Sequence, residues 1–162
     1  MDCWTRGGST CMASPIPDDY PRVSAALCVD GATEAIEFYK EVLGASERMR
    51  FDDCGKVGHA ELTIGDSLIM VSDEYPEMDV VGPKAVGGTP VRMMVYVEDA
   101  DATFAAALAA GATEIRPVEQ QFYGDRSGQF LDPWGHCWWV ATHVEDVGPE
   151  ELWRRVSQLS ES

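Results

Sequence analysis

The chain has 162 residues, 45% of them hydrophobic, enough for one domain or two small halves sharing a core without a disulfide scaffold. Its 12 Lys+Arg against 28 Asp+Glu give a net charge of −16 and a pI near 4.3, which exclude a basic surface for nucleic acid or an anionic membrane. No apolar run approaches the roughly 18–20 residues of a membrane span, and five cysteines with no CxxC pair announce neither a zinc site nor a disulfide framework.

A reducing cytoplasm is the simplest setting for such cysteines. Residues 1–21 lack the apolar core of a signal peptide and are expected to be a flexible tail rich in Gly, Ser and Pro. The folded part is expected over 22–145, as one module at 22–77 and a second at 89–145.

After Pro21, VSAALCVD has the length and apolar content of a strand. ATEAIEFYKEVLGA follows as a helix, with Ile36, Tyr39, Val42 and Leu43 at helical spacing and Gly44 as its stop. ERMRFDD, VGHAELTIG and SLIMVS read as three strands, the last two joined at the Gly65-Asp66 turn. DEYPEMDVVGPKAVGG is rich in Pro, Gly and acids and reads as a linker or loop.

The second half repeats the order. TPVRMMVYVED reads as a strand, ADATFAAALAAG as a helix with Phe104 and Leu108 facing inward, and EIRPVEQ as an edge strand interrupted by Pro117. GDRSGQFLDPWGHCWWVATH then makes two strands around the turn Asp132-Pro133-Trp134-Gly135, because Pro and Gly suit its backbone angles. Alternation sends Trp138 and Val140 to one face and Cys137, Trp139 and Ala141 to the other. Val29-Asp30-Gly31-Ala32 superimposes on Val97-Glu98-Asp99-Ala100, so the chain is an internal repeat with a period of about 70 residues. Residues 146–162 read as a C-terminal helix and tail, an amphipathic helix from Pro149 with Leu152, Trp153, Val156 and Leu159 on its apolar stripe. It is expected to cap the sheet or contact another subunit.

The segments AIEFYKEVLGA, GHAELTIGDSLIMVSDE, VYVEDADATFAAALAAGA and QQFYGDRSGQFLDPWGHCWWVATH together resemble the vicinal oxygen chelate superfamily. This superfamily includes glyoxalase I, extradiol dioxygenases, fosfomycin-modifying enzymes and bleomycin-resistance proteins, and the last segment is most similar to its PhnB-like branch. The resemblance covers about Val23 to His143 and implies an α+β fold of two βαβββ modules curled into a cup, commonly within a homodimer. In metal-dependent members each module supplies two ligands, from its first and last strands. Counting from the Val-Asp-Gly word and from the turn glycines, these positions are Ser24, Ile69, Arg92 and Trp139, with Leu68 or Met70 and Trp138 or Val140 one residue either side. None is a plausible ligand for a divalent ion, and an arginine would repel one. The resemblance therefore implies no metal and no cofactor here.

His59 and Glu61 share one strand face. The plainer reading is a solvated face; the sharper one is a polar anchor or a general acid/base pair on the cup wall. Arg92 shares a face with Met94 and Tyr96 and, if buried, needs an anionic partner such as Glu61, Asp125 or a ligand carboxylate. Phe122, Tyr123 and Trp139 are expected to line an aromatic cleft, with Arg126 nearby or in a local salt bridge with Asp125. The expected function is binding of a small apolar or aromatic molecule in a metal-free cup, as in sequestering resistance proteins. The alternatives are a metal-dependent lyase, isomerase or dioxygenase using displaced ligands such as His59, Glu61 and His136, and a protein-interaction role for the C-terminal helix.

Overall fold

The computed structural model describes residues 14–159. The first module runs β1 (Ala25–Val29), α1 (Ala32–Leu43), β2 (Ser46–Asp53), β3 (Lys56–Ile64) and β4 (Ser67–Asp73). A connecting segment holds a 3₁₀ turn at Pro76–Met78 and a short helix, α2 (Pro83–Val86). The second module runs β5 (Arg92–Tyr96), α3 (Ala100–Ala109), β6 (Thr113–Gln120), β7 (Asp125–Leu131) and β8 (Cys137–His143), and α4 (Pro149–Leu159) follows. The sheet orders β1-β4-β3-β2 and β5-β8-β7-β6 are the same arrangement used twice. The repeat read from the sequence is therefore a structural repeat, with the α+β fold expected of it.

Each module lays one helix on one face of its sheet, an amphipathic one in the first module and an alanine-rich one in the second. On α1, Ile36 and Tyr39 are fully buried, with Val42 and Leu43 nearly so, against Leu27, Val29, Ala60, Leu62 and Val71 of the sheet. Gly44 ends the helix in the left-handed conformation at φ 64°, donating its N–H to Tyr39 O. The start of the helix is held from outside. Asp73 at the end of β4 accepts from the backbone N–H groups of Gly31 and Ala32 at 3.0 and 2.9 Å, and from Val57 N–H at 2.6 Å. On α3, Asp99 caps the first turn by accepting from Ala102 N–H at 2.9 Å. Pro117 sits in the edge strand β6, where the pairing with β7 shifts register between Arg116 and Glu119, so its missing N–H breaks no regular ladder.

The two modules share one core. Phe38 and Tyr39 on α1 meet Trp134 edge-on and tilted, at ring-centroid distances of 5.7 and 6.2 Å, and Tyr39 meets Trp138 at 5.4 Å. Asp132 lies at the centre of this contact and is 4% exposed. Its Oδ2 accepts from Tyr39 Oη at 2.7 Å and from Trp138 Nε1 at 3.0 Å, while Oδ1 accepts from Trp134 N–H at 3.0 Å and His136 N–H at 2.9 Å. Burial and this carboxylate push the Tyr39 phenol well above its ordinary pKa, so it stays a donor. Two further bonds cross between modules, Trp134 Nε1 to Asp30 O at 2.9 Å and His136 Nε2 to Cys28 O at 3.1 Å.

The segment between the modules is more ordered than its composition suggests. A side chain at Gly82 would come within 2.6 Å of Cys28 O, so only glycine allows this close approach beside β1. Glu74 fixes the same residue by accepting from Gly82 N–H at 2.6 Å. Among the described residues no helix is long and apolar enough to cross a membrane.

Asp132→Ala removes the acceptor from two buried donors, Tyr39 and Trp138, and is expected to lower the unfolding free energy by roughly 3 kcal/mol. Urea denaturation checks this; a loss below about 0.5 kcal/mol, the size of a surface substitution, contradicts the assignment.

Candidate functional site

The face of each sheet turned away from the helices carries the candidate residues. On the second sheet, parallel pairing sets Arg92 beside Cys137, Met94 beside Trp139 and Tyr96 beside Ala141. Antiparallel pairing adds Gln129 beside Trp139, Ser127 beside Ala141 and Asp125 beside His143. Arg92, Met94, Tyr96 and Trp139 thus share one face, while Trp138 and Val140 are buried on the other, as the alternation predicts. Met94 and Tyr96 remain 44% and 61% exposed. Arg92 is also exposed and solvated, so it needs none of the anionic partners a buried arginine would require.

At one end of this face Tyr96 Oη donates to the buried Asp125 Oδ2 at 2.9 Å. His143 is clasped between carboxylates, Nδ1 to Asp125 Oδ1 at 2.9 Å and Nε2 to Asp146 Oδ1 at 3.0 Å. Two acceptors on two ring nitrogens favour the doubly protonated imidazolium. The Asp125 bond first, and the Asp146 bond second, raise the His143 pKa above its ordinary value of 6.5.

On the first sheet, Ala26, Met70, Glu61 and Met49 lie across neighbouring strands on one face, with His59 and Phe51 one pair further along. Glu61 is only 3% exposed. Its Oε1 accepts from Tyr20 Oη at 2.7 Å and lies 3.4 Å from His59 Nε2, and its Oε2 is 3.7 Å from Arg48 Nε. The Tyr20 bond is the largest cause holding the Glu61 carboxyl below the ordinary glutamate range. Arg48 reaches this point because β2 bulges between Glu47 and Met49, which leaves an extra residue to aim across the face. Tyr20 and Arg48 were not among the residues singled out from sequence. A tyrosine in a Pro-flanked tail and an arginine in a charged strand give no periodic signal.

The same register corrects one metal-ligand position. Ile69 pairs with Ala25 and Leu62 on the helix side, 7% exposed, whereas Met70 pairs with Ala26 and Glu61 on the open face, as Trp139 pairs with Met94 and Gln129. The turn before β4 is shorter than the turn before β8, which displaces a count made from its glycine. Register makes Met70 equivalent to Trp139, and counting two residues back from Ala26 and Met94, their neighbours on the first strands, gives Ser24 and Arg92. A hydroxyl, a thioether, a guanidinium and an indole do not fit the His, Glu or Gln set that a divalent ion of this kind uses. The displaced set is not assembled either, since His136 is turned to Cys28 O. Among the described residues no three His, Cys, Asp or Glu side chains gather as a metal site.

The remaining residues fall outside this cluster. Arg126 pairs with Thr142 on the helix side and grips Asp101 of α3 through two bonds of 2.5 and 2.6 Å, in place of the salt bridge with Asp125. Phe122 and Tyr123 stack edge-on at 5.1 Å in the β6–β7 turn, where Arg155 of α4 donates to Phe122 O at 3.1 Å. Between the modules, Val23, Ala25 and Ile69 face Met93, Met94 and Tyr96 across a groove of about 430 Å³.

Comparison with known proteins places these features. Residues 23–140 match the family model described as Glyoxalase/Bleomycin resistance protein/Dioxygenase superfamily. An uncharacterized protein of Mycobacterium bovis is 40% identical over 136 residues, covering 82% of this chain and 90% of its own length. An uncharacterized protein of Mycobacterium tuberculosis is likewise 40% identical over 136 residues, covering 82% of this chain and 80% of its own. The crystal structure of TioX from Micromonospora superimposes with a TM-score of 0.58 at 26% identity, over 75% of this chain and 99% of that one. The fosfomycin resistance protein FosX of Listeria monocytogenes shares the fold, with a TM-score of 0.57 at 14% identity over 79% of this chain and 94% of that one.

Because the His143 pKa is raised by folding, its pairing stabilises the protein fully below about pH 6.5 and the contribution is lost as pH rises through the folded value. The stability gap between wild type and His143→Gln in urea is therefore expected to be larger at pH 5.5 than at pH 8.5. An unchanged gap contradicts the clasp.

Proposed function

The chain belongs to the glyoxalase/bleomycin resistance protein/dioxygenase superfamily, and from that premise we propose that it binds a small apolar or aromatic molecule in a metal-free cup, in the manner of a sequestering resistance protein. We assign it to the PhnB-like branch on the segment Gln120–His143. One observation supports the reading: the positions matched to the family's metal ligands hold Ser24, Met70, Arg92 and Trp139, side chains whose chemistry suits a ring or an apolar body better than a divalent ion. Trp139 and Met94, side by side, offer stacking and thioether contact, and Arg92 supplies a cation for an anionic substituent.

The functional unit in this reading is a homodimer. Met49 and Phe51 on the first sheet, 46% and 63% exposed, and Met94 and Tyr96 on the second would be covered when a second copy completes each cup. A second role, as a surface for another protein, has one feature in its favour. Trp153 on α4 is 72% exposed, although its helix is tethered through Arg155 to Glu145 at 2.6 Å.

Elemental analysis and ligand screening by thermal shift test the reading together. The purified chain is expected to hold no stoichiometric Zn, Ni, Fe or Mn, and aromatic ligands are expected to raise its melting temperature. Trp139→Ala is expected to weaken the best of these by about 30-fold, roughly 2 kcal/mol, with the fold retained. A stoichiometric divalent metal, or binding indifferent to Trp139, overturns it. Sedimentation is expected to show a dimer; if Trp153→Ser abolishes a specific complex with another protein while ligand binding persists, the second role stands.

A further inference from the structure

The concave face of the first sheet holds a charged cluster that the fold itself does not require. By register, Glu61 corresponds to Gln129, and the bulge residue Arg48 corresponds to Ile115, where β6 skips between Glu114 and Arg116. The second module therefore builds the same bulged strand pair with an isoleucine and an amide. A carboxylate and a guanidinium at these places of the first module, with the carboxylate buried, carry a desolvation cost that strand pairing does not explain.

Tyr20 of the same chain lies against this cluster. Its hydroxyl donates to Glu61 Oε1 at 2.7 Å, and its ring lies under the Arg48 guanidinium, 4.5 Å from carbon to centroid. Arg48 is steadied above the ring by Asp19, through its side chain and through Asp19 O at 3.1 Å. A phenol thus meets two features that suit it, an ionised acceptor for its O–H and a cation over its π face. The fit is incomplete, because Glu61 Oε2 is buried without a hydrogen-bond partner. A buried carboxylate oxygen left in this way favours exchange of Tyr20 for a ligand that brings a further donor.

We propose that Arg48, His59 and Glu61 form a recognition site for hydroxy-aromatic ligands, and that Tyr20 of the same chain occupies it as an internal competitor. The proposal rests on the reading that the concave faces bind small aromatic molecules, and adds the ligand's chemistry and a built-in occupant. Tyr20 reaches the site from the segment preceding β1, so its release frees the face without disturbing either sheet.

Calorimetric titration of the full-length chain with p-cresol, and with toluene as the same shape lacking a hydroxyl, tests this. Tyr20→Ala is expected to bind p-cresol about tenfold tighter than wild type and to prefer it over toluene by at least about tenfold, the scale of one charge-assisted hydrogen bond. Tyr20→Phe, which keeps the ring and loses the bond to Glu61, is expected to fall between the two. In Tyr20→Ala/Glu61→Leu the preference for p-cresol over toluene is expected to vanish. Equal p-cresol affinity in wild type and Tyr20→Ala overturns the competitor role and leaves the concave-face reading standing. Tighter binding without a preference for the hydroxyl overturns the phenol assignment. Failure of both probes to bind any variant overturns both the proposal and the reading beneath it.

Discussion

Asp132 is the group on which the architecture depends. A carboxylate removed from water is costly unless it receives hydrogen bonds, and this one receives four, two from its own turn and two from buried aromatic side chains. Tyr39 belongs to the first module and Trp138 to the second, so satisfying a single charge fixes the distance and orientation between the halves. The aromatic contacts around it then exclude water, which makes each of those bonds stronger and the loss of any one costlier. The open faces of the two sheets inherit their placement from this joint. β1 and β5 flank the groove between modules only because α1 and the β7–β8 turn are locked together behind them.

The two modules use the same backbone plan for different surfaces. Both place a bulge in the second strand and a buried polar residue on the third, directly beside the position where a metal ligand would stand. In the first module those residues are Arg48 and Glu61, with Met70 alongside. In the second they are Ile115 and Gln129, with Trp139 alongside. Backbone geometry, set by hydrogen bonding and strand twist, is thus retained while the chemistry projected from it differs, which is how one fold accommodates unrelated ligands. The surplus of acids takes little part, since among the described residues only Glu61, Asp73, Asp125 and Asp132 are buried and the other acidic side chains are wholly or partly exposed.

Much of the fold was legible because it obeys local rules. Helical spacing of Ile36, Tyr39, Val42 and Leu43, the glycine stops and the two turns recurring at a fixed period need no distant information. The face assignment of Trp138 and Trp139 follows from strand alternation alone. Errors arose where a count had to pass through a turn. Ile69 in place of Met70 came from the shorter turn before β4, and a slip of one residue exchanges the faces of a strand. Arg126 reads from sequence as a neighbour of the cleft, yet its strand position turns it to α3, where Asp101 lies in the first turn. The connecting segment read as a loop because Pro and Gly dominate it; here they shape a tight turn, a short helix and a close approach to β1.

The sequence by itself determined the duplicated α+β modules and which strand positions share a face, since each follows from residue identity and short-range periodicity. Only the tertiary structure decided which side chains meet. Tyr20 and Glu61 are separated by most of a module, and Tyr39 and Asp132 by most of the domain. No periodic pattern links such pairs, because what brings them together is the packing of two sheets and two helices around one core, and the strand bulge that turns Arg48 toward a buried carboxylate.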